Sequence, residues 1–385
     1  MRKRTIKKKT MESEHLFLTM SISIAVFSAF FCSMLLLMRL TQSTDTFVRR
    51  VIILLIGGYI VEIAYVITIF YYNFNKEAFI QTKAINFFTM LVLPVIFYHL
   101  IFKLTRLRTA ENFSFWHYVV PFFLAAGYGV WSMLIPDYIR QNTDDKTLHW
   151  VKGYEAFIIF DYGRFYIRMV ISIIYVYLAI RRVVLYRREI VQYSSNIEEV
   201  SLTWLYQIFG ALFLVIPFPV LFYFINKQLY TQFIGLMIPF LLLFFLNVTL
   251  CYHIFRQNFM LLTEDIIADK LSEQEKRVWE PLSHEAVNHY MTENKPFLNP
   301  HLKITELTTI FGTNRTYLSA FINTTYGLNF SMYINRFRLE EFERLKKLPE
   351  YENAEEEELV YLSGFRSYQS LKRSEKILRS LKKTA

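Results

Sequence analysis

Cysteine is nearly absent from this chain of 385 residues, which contains only Cys32 and Cys251. Both lie inside apolar runs, so we expect them to be small apolar packing residues. Two buried thiols cannot build a disulfide framework, and they are too few for a structural zinc site. The sequence therefore predicts no metal ligands.

Glycine is also scarce, with 11 in the whole chain and no cluster after Gly235. The sequence therefore has no P-loop, no dinucleotide-binding fingerprint and no glycine-rich nucleotide lid of a sensor kinase. His284 and Glu285 begin like a zinc-protease helix, but the next histidine, His289, comes one position too late. Since no Ser/His/Asp constellation is present either, we predict no catalytic residues, no enzyme and no cofactor.

Net positive charge is missing from the C-terminal third. Residues 253–385 contain 19 Lys/Arg and 19 Asp/Glu, so the formal net charge of +10 belongs to residues 1–252. Net charge gives no support to nucleic-acid binding by the C-terminal third, which must be argued from particular side chains.

Apolar side chains are abundant: 54% of the residues are hydrophobic and 18% aromatic, mostly in the first two-thirds of the chain. Seven runs are long enough to cross about 30 Å of hydrocarbon as helices. None alternates like a barrel strand. The predicted spans are 16–38, 51–72, 84–104, 113–135, 165–186, 202–225 and 233–255. We therefore predict an all-α fold, with a polytopic membrane bundle of about seven spans at 16–255 following a basic tail at 1–15.

Lysine and arginine in the short loops indicate the orientation of the bundle. The loops predicted to lie inside carry Arg39, Arg49, Arg50, Lys103, Arg106, Arg108, Arg181, Arg182, Arg187 and Arg188. A long acidic loop at 136–164 then lies outside, either as a lid over a binding site or as a plain connector. Seven spans place the C-terminus on the inner side of a bacterial cytoplasmic membrane and the N-terminus on the outer side. The six basic residues before Met11 contradict this orientation, so either translation starts at Met11 or one span is wrong.

Polar residues within the spans are candidate sensing sites. Glu62 lies in the middle of the second span and His99 near the inner end of the third. Either could contact a small-molecule or protein signal, and the alternative is a hydrogen bond between helices.

Residues 256–281 change abruptly to a polar composition. Phe255, Phe259, Leu262 and Ile266 recur at helical spacing, which predicts a helical linker that continues the seventh span. Such a short stripe is typical of a coiled-coil stub, and it makes a second copy of the chain a predicted partner.

The C-terminal domain, predicted at 282–385, contains the pattern of a helix-turn-helix. Ile304, Leu307 and Ile310 are expected on the buried face of the first helix. Gly312 stands where the turn requires a left-handed residue, and Asn314 can cap the next helix. That second helix directs Leu318, Phe321 and Ile322 to the core, and Arg315, Thr316, Ser319 and Asn323 outward. This outward face fits either a DNA groove or plain solvent.

A resemblance to a known family favours DNA. The stretch FLNPHLKITELTTIFGTNRTYLSAFINTTYGLNFSMYINRFRLEEFERL resembles the first half of the DNA-binding domain of AraC-type transcription regulators. The likeness rests on the Asn-Arg-Thr-Tyr-Leu-Ser run, on Tyr326-Gly327, and on Phe330, Tyr333, Ile334 and Arg338. It implies two helix-turn-helix units joined by a long helix, with Thr316, Ser319 and Ala320 reading bases. In the first unit the predicted DNA-binding residues are Asn314, Arg315, Thr316, Tyr317, Ser319, Ala320 and Asn323.

The second unit resembles the family over Tyr361 to Ser367 and then departs from it. Glu375 stands where the family has a core aromatic, and the family's closing Gly-x-Ser-Pro-like segment does not follow. The resemblance implies that the second reading face comprises Arg366, Ser367, Tyr368, Gln369, Lys372 and Arg373.

Two functions follow from these patterns. One is a membrane-bound transcription regulator, whose partners are double-stranded DNA, the lipid bilayer and an unknown signal. The other is a membrane receptor or transporter-like protein, whose cytoplasmic helical domain contacts protein and no longer binds DNA.

Overall fold

Helices form the regular secondary structure in the part of the chain that the structure describes. The computed structural model describes residues 2–106, 111–141, 151–192, 194–195, 202–216, 234–256 and 282–384. These ranges contain no strand, and their one isolated β-bridge pairs Ser194 with Lys303.

Eight helices are described before residue 257. They are α1 (Arg2–Gln42), α2 (Thr46–Phe74), α3 (Lys76–Leu104), α4 (Trp116–Met133), α5 (Asp137–Gln141), α6 (Glu155–Ile190), α7 (Leu205–Val215) and α8 (Ile234–Phe255). Six follow residue 281: α9 (His284–Asn294), α10 (Ile304–Ile310), α11 (Arg315–Tyr326), α12 (Phe330–Leu345), α13 (Glu356–Leu362) and α14 (Tyr368–Thr384). Short 3-10 turns lie at Pro296–Leu298 and Pro349–Tyr351.

Five helices are long and apolar enough to cross a membrane, which indicates a membrane protein. They contain the predicted first, second, third and fifth spans and most of the seventh, and they run over Leu16–Gln42, Thr46–Phe74, Lys76–Leu104, Glu155–Ile190 and Ile238–Phe255. The predicted fourth span forms α4, an 18-residue helix that is not among the five. His117, Pro121, two tyrosines and two tryptophans lower its mean hydropathy. The predicted sixth span contains α7, of 11 residues, and its end at 217–225 lies outside the described residues.

Apolar side chains cover the outer surfaces of these helices, as expected for a lipid-facing bundle. Phe27 and Phe30 of α1 are 65% and 61% exposed, while Glu62 and Asn247 are buried. α1 packs against α2 and α8. A second apolar core is centred on Phe87 and includes residues of α3, α4, α5 and α6.

The helix that contains the predicted fifth span extends beyond it at both ends. α6 has 36 residues and contains the last ten positions of the predicted outer loop at 136–164. It also contains Arg181, Arg182, Arg187 and Arg188, which the sequence placed in an inner loop. The charged residues at both ends of the predicted span, which the sequence assigned to loops, are therefore helical. At the N-terminus, α1 begins at Arg2, so most of the predicted tail is helical.

The chain forms two compact units. The first comprises Met1–Lys103, Phe113–Arg182 and Trp204–Asn258, and the second comprises Leu104–Asn112, Val183–Thr203 and Phe259–Ala385. The second unit therefore contains not only the predicted C-terminal domain but also a segment that follows α6. The predicted linker at 256–281 lies almost wholly outside the described residues.

In the second unit, α12 forms the centre of the core and packs against α11, α13 and α14. Its buried face includes Tyr333, Ile334 and Phe342. The predicted core residues Ile304, Leu307, Leu318 and Ile322 are buried, as expected. The prediction for Ile310 was wrong, because this last residue of α10 is 47% exposed.

Candidate nucleic-acid interface

The first helix pair consists of α10 and α11, joined by a tight turn. The left-handed residue in the turn is Gly312, with φ +57°, and Thr313 N–H donates to Thr308 O at 3.0 Å. Asn314 caps α11 by accepting from Tyr317 N–H at 2.8 Å. The predicted roles of Gly312 and Asn314 are confirmed, and both come from local backbone requirements.

The second helix pair, α13 and α14, has the same turn. Gly364 has φ +89°, and Phe365 N–H donates to Val360 O at 3.1 Å, at the same offsets as in the first pair. Glycine is required at this position for two reasons. Its φ is positive, and a Cβ at Gly364 would lie 2.5 Å from Phe297 O. The structure thus contains two similar helix–turn–helix pairs in one unit, with α12 between them in the chain.

The predicted reading face of α11 contains both exposed and engaged side chains. Tyr317, Ala320 and Asn323 are exposed, and Arg315, the first residue of α11, is half-buried. Asn314 is occupied as the helix cap. Ser319 is half-buried and donates to Gln192 Oε1 at 3.0 Å. Thr316 lies on the same helix, and its side chain is not among those that the structure describes.

The predicted reading face of α14 is more exposed. Gln369, Lys372 and Arg373 are exposed on this helix, while Arg366 and Tyr368 are half-buried. Ser367, the last of this predicted set, accepts from Ser370 N–H at 3.2 Å and thereby caps the helix.

Glu375 places a carboxylate beside this face. It lies 3.6 Å from Lys372 Nζ and 2.5 Å from an Arg379 guanidinium nitrogen. Lys372 Nζ also lies 5.1 Å from the centre of the Tyr368 ring. The hydrogen bond with Tyr368 raises the pKa of Lys372, so this lysine is a cation at neutral pH. Glu375 therefore reduces the net positive charge of the second face.

Arg338 ties α12 to the segment before α10. Its guanidinium donates to Phe297 O at 2.7 Å, to Asn299 O at 2.8 Å and to Asn335 Oδ1 at 3.1 Å. Asn335 in turn donates to Ser374 Oγ of α14 at 3.0 Å. Burial lowers the pKa of Arg338 to about 10, so the side chain is still a cation at neutral pH. This network fixes both helix pairs relative to α12.

A segment that sequence reasoning missed lies against the first helix pair. Val191, Gln192, Ser194 and Ser195, here called the 191–195 segment, follow α6 and belong to the second unit. Ser195 N–H donates to Leu302 O at 3.2 Å, and Ser331 N–H donates to Val191 O at 3.2 Å. No local sequence signal marks this contact, because the partners are more than a hundred residues apart.

The predicted sensing residues of the first unit lie in separate places. Glu62 accepts from Asn247 Nδ2 at 2.6 Å, and the same amide lies 3.1 Å from Ser28 Oγ. His99 Nδ1 lies 2.8 Å from Tyr118 Oη, and its ring stacks on Phe113 at 3.9 Å. Both residues therefore have interhelical or ring contacts, as in the structural alternative that the sequence left open.

A buried ionic cluster was also missed. Asp161 lies 3.1 Å from Lys83 Nζ and 2.8 Å from an Arg164 guanidinium nitrogen, and it accepts from Tyr128 Oη at 2.5 Å. These residues join α3, α4 and α6 beside a cavity of about 190 Å³. Because Asp161 pairs with both cations, and Lys83 and Arg164 also donate to backbone carbonyls, we interpret the cluster as a clamp between helices.

Comparison of the chain with protein-family models, with curated proteins and with solved structures finds no match. Among the described residues, no group of three or more His, Cys, Asp or Glu side chains could hold a metal ion.

Proposed function

We propose that this protein is a membrane-bound transcription regulator, with a helical membrane part that senses a signal and a C-terminal part that binds double-stranded DNA. The observation that carries the proposal is the pair of similar helix–turn–helix turns, at Gly312 and Gly364, in one compact unit. The motif resemblance to AraC-type regulators supports the same reading. Neither argument depends on net charge.

The proposed interface uses α11 and α14 as the two helices that enter successive major grooves. Arg315 and Arg373 are the proposed phosphate contacts, because arginine neutralises phosphate regardless of sequence. Thr316, Ser319 and Gln369 are the proposed base contacts, since short hydroxyl and amide side chains can bond to base edges. The exposure of Gln369 and Arg373 supports these roles.

We further propose that the C-terminal part lies on the cytoplasmic side of a bacterial inner membrane. The basic residues between and at the ends of the predicted spans support this orientation. Single cysteines at exposed Tyr317 and at exposed Asn75, between α2 and α3, test it with a membrane-impermeant maleimide on intact cells. We expect labelling of Asn75→Cys only, and labelling of Tyr317→Cys on intact cells would contradict the orientation.

The experiment that tests DNA binding uses the full chain in phosphatidylcholine nanodiscs and a fluorescent random-sequence duplex. Binding should weaken steeply as salt rises, because bound phosphates release counterions. Arg315→Ala should reduce both the affinity and the salt slope. Absence of salt-sensitive binding at low ionic strength, both by the wild type and by Gln192→Ala, which removes the partner of Ser319, would contradict the proposal.

A second candidate function is favoured by Glu375. Its carboxylate, 3.6 Å from Lys372, offsets a cation of the second reading face. A membrane receptor or transporter-like protein whose helical domain contacts protein would tolerate this carboxylate. The same binding experiment separates the two candidates, because only the first requires affinity for DNA.

A further inference from the structure

The 191–195 segment is held by hydrogen bonds to α11, to α12 and to the two residues that precede α10. Gln192 accepts from Ser319 Oγ of α11 at 3.0 Å. Ser195 Oγ donates to Leu302 O, just before α10, at 2.9 Å and accepts from Arg338 of α12 at 3.1 Å. Ser194 forms the β-bridge with Lys303.

Burial shows that the segment is seated among these helices. Ser194 and Ser195 are 4% and 2% exposed. Ser331, at the start of α12, is also fully buried, and its hydroxyl donates to Ser195 O at 3.3 Å. The segment thus covers one side of the first helix pair and excludes solvent from it.

We propose that the 191–195 segment and DNA compete for the reading face of α11, so that the docked segment is a built-in inhibitor of DNA binding. This inference rests on the proposed function and adds its regulation. In the described arrangement the protein is in its DNA-excluded state, and the segment must leave Ser319 before α11 can enter a groove.

The competition follows from dimensions. A helix with its side chains is about 10–12 Å across, and the major groove of B-DNA is about 12 Å wide. The groove therefore has no room for a second stretch of backbone beside the face that contains Ser319. In addition, the Ser319 hydroxyl has one hydrogen to donate, and Gln192 takes it.

The end of the segment that contacts α11, at Gln192, is suited to release. The partners of Gln192 and Val191 are neutral groups, and both residues are half-buried. The segment directly follows Ile190, the last residue of α6. A movement of α6 therefore acts on the segment through the backbone.

The test locks the segment covalently. Gln192→Cys/Ser319→Cys is introduced into the full chain in phosphatidylcholine nanodiscs, and a fluorescent random-sequence duplex is the probe. A short homobifunctional methanethiosulfonate links the two cysteines, each thiolate displacing methanesulfinate to form a disulfide with the reagent. We expect the linked protein to bind DNA about tenfold more weakly than the same protein after reduction. Because both states carry the same substitutions, the altered side chain at 319 cancels in the comparison.

Two controls keep the result specific. The wild type contains buried Cys32 and Cys251, and treatment with the same reagent should leave its DNA binding unchanged. Gln192→Ala should bind DNA more tightly than the wild type, whereas Gln207→Ala, at an exposed position of α7, should not.

The outcomes separate the two proposals. Failure of the link to form, or equal binding by the linked and the reduced protein, overturns the inhibitory contact while leaving DNA binding intact. Absence of DNA binding in every variant and redox state overturns the proposed function, and the inference with it.

Discussion

Ser319 of α11 donates a 3.0 Å hydrogen bond to Gln192, which precedes it by 127 residues. The sequence motif assigns Ser319 to base reading, while the fold gives it an intramolecular partner. Both roles are compatible if they belong to different states of the protein. Substitutions on this face should therefore be compared in a Gln192→Ala background, in which the segment is loosened.

The first prediction separates phosphate contacts from base contacts on α11. Arg315→Ala should weaken binding to all sequences alike and reduce the salt slope by about one. Thr316→Ala should instead change the preferred sequence. It should weaken the binding free energy for the sequence that the wild type prefers by about 1–3 kcal/mol. Selection of duplexes from a random pool measures the preference, and binding titrations at several salt concentrations measure the affinity and the salt slope.

Lys347→Ala is the charge-matched control, because this exposed lysine follows α12 and lies outside both helix pairs. It should change neither affinity nor preference. The reverse pattern, with Arg315→Ala altering preference and Thr316→Ala weakening all binding, would mean that the register assigned to α11 is wrong.

The second prediction concerns the two turn glycines. Both have positive φ, so alanine at either position costs about 1–2 kcal/mol from backbone strain. At Gly312 nothing lies within 4 Å of an added Cβ, whereas at Gly364 it would lie 2.5 Å from Phe297 O. We expect Gly312→Ala to be mildly destabilising and Gly364→Ala to disrupt the second helix pair.

Hydrogen exchange of the full chain measures this difference locally. In Gly364→Ala, amides of α13 and α14 should exchange much faster, while those of α10 and α11 in Gly312→Ala should change little. Equal effects at the two glycines would contradict the close approach of Gly364 to Phe297.

The third prediction concerns Glu341, whose carboxylate lies 2.8 Å from Arg344 and 3.0 Å from Lys295. The hydrogen bond from Arg344 is the main reason that the pKa of Glu341 is below its ordinary value. A lowered pKa in the folded state stabilises the fold above the unfolded pKa, and this contribution is lost as the pH falls through the folded pKa.

Glu341→Gln should therefore lower stability by about 0.5–1 kcal/mol at neutral pH, because both cations are partly exposed. The difference from the wild type should shrink below about pH 4. Thermal melting across pH measures it, with exposed Glu343→Gln on the same helix as control. A difference that persists at acid pH would exclude the ionic explanation.

The fourth prediction concerns the buried pair Glu62 and Asn247. Asn247→Leu removes the side-chain amide that contacts the Glu62 carboxyl and the Ser28 hydroxyl. It should lower the free energy of unfolding by about 1–3 kcal/mol. Glu62→Met/Asn247→Leu should cost less than the sum of the single changes, with a coupling of about 0.6–1.7 kcal/mol.

Thermal melting of the protein in nanodiscs measures this cycle. Asn73→Leu is the control, because the Asn73 side chain bonds only to Ile69 O of its own helix in the described contacts. Strict additivity of the two changes at 62 and 247 would show that the pair is not coupled.

Local requirements of the backbone made several features predictable. Gly312 and Asn314 were identified because a left-handed turn and a helix cap favour few residue types. The apolar spans were visible because lipid demands continuous apolar helices. The same reasoning failed for the first turns of α6. Asp161 and Arg164 are charged and were therefore assigned to a loop, whereas in the fold Asp161 pairs with Lys83 and Arg164 inside the helical bundle.

Contacts between distant residues had no sequence signal. The approach of Gln192 to Ser319 depends on the whole second unit, and neither residue is unusual in its local context. Ile310 was misplaced because α10 has only seven residues, and its last position turns away from the core. The candidate interface was thus predictable as a pair of helices, whereas the segment that covers part of it was not.

The most direct measurement of the central claim is sequencing of DNA crosslinked to the full-length protein in cells. The account predicts discrete enriched sites that share a motif, that are lost with Arg315→Ala, and that become more occupied with Gln192→Ala. Recovery of no more DNA than a strain without the protein would contradict the proposal that this membrane protein regulates transcription by binding DNA.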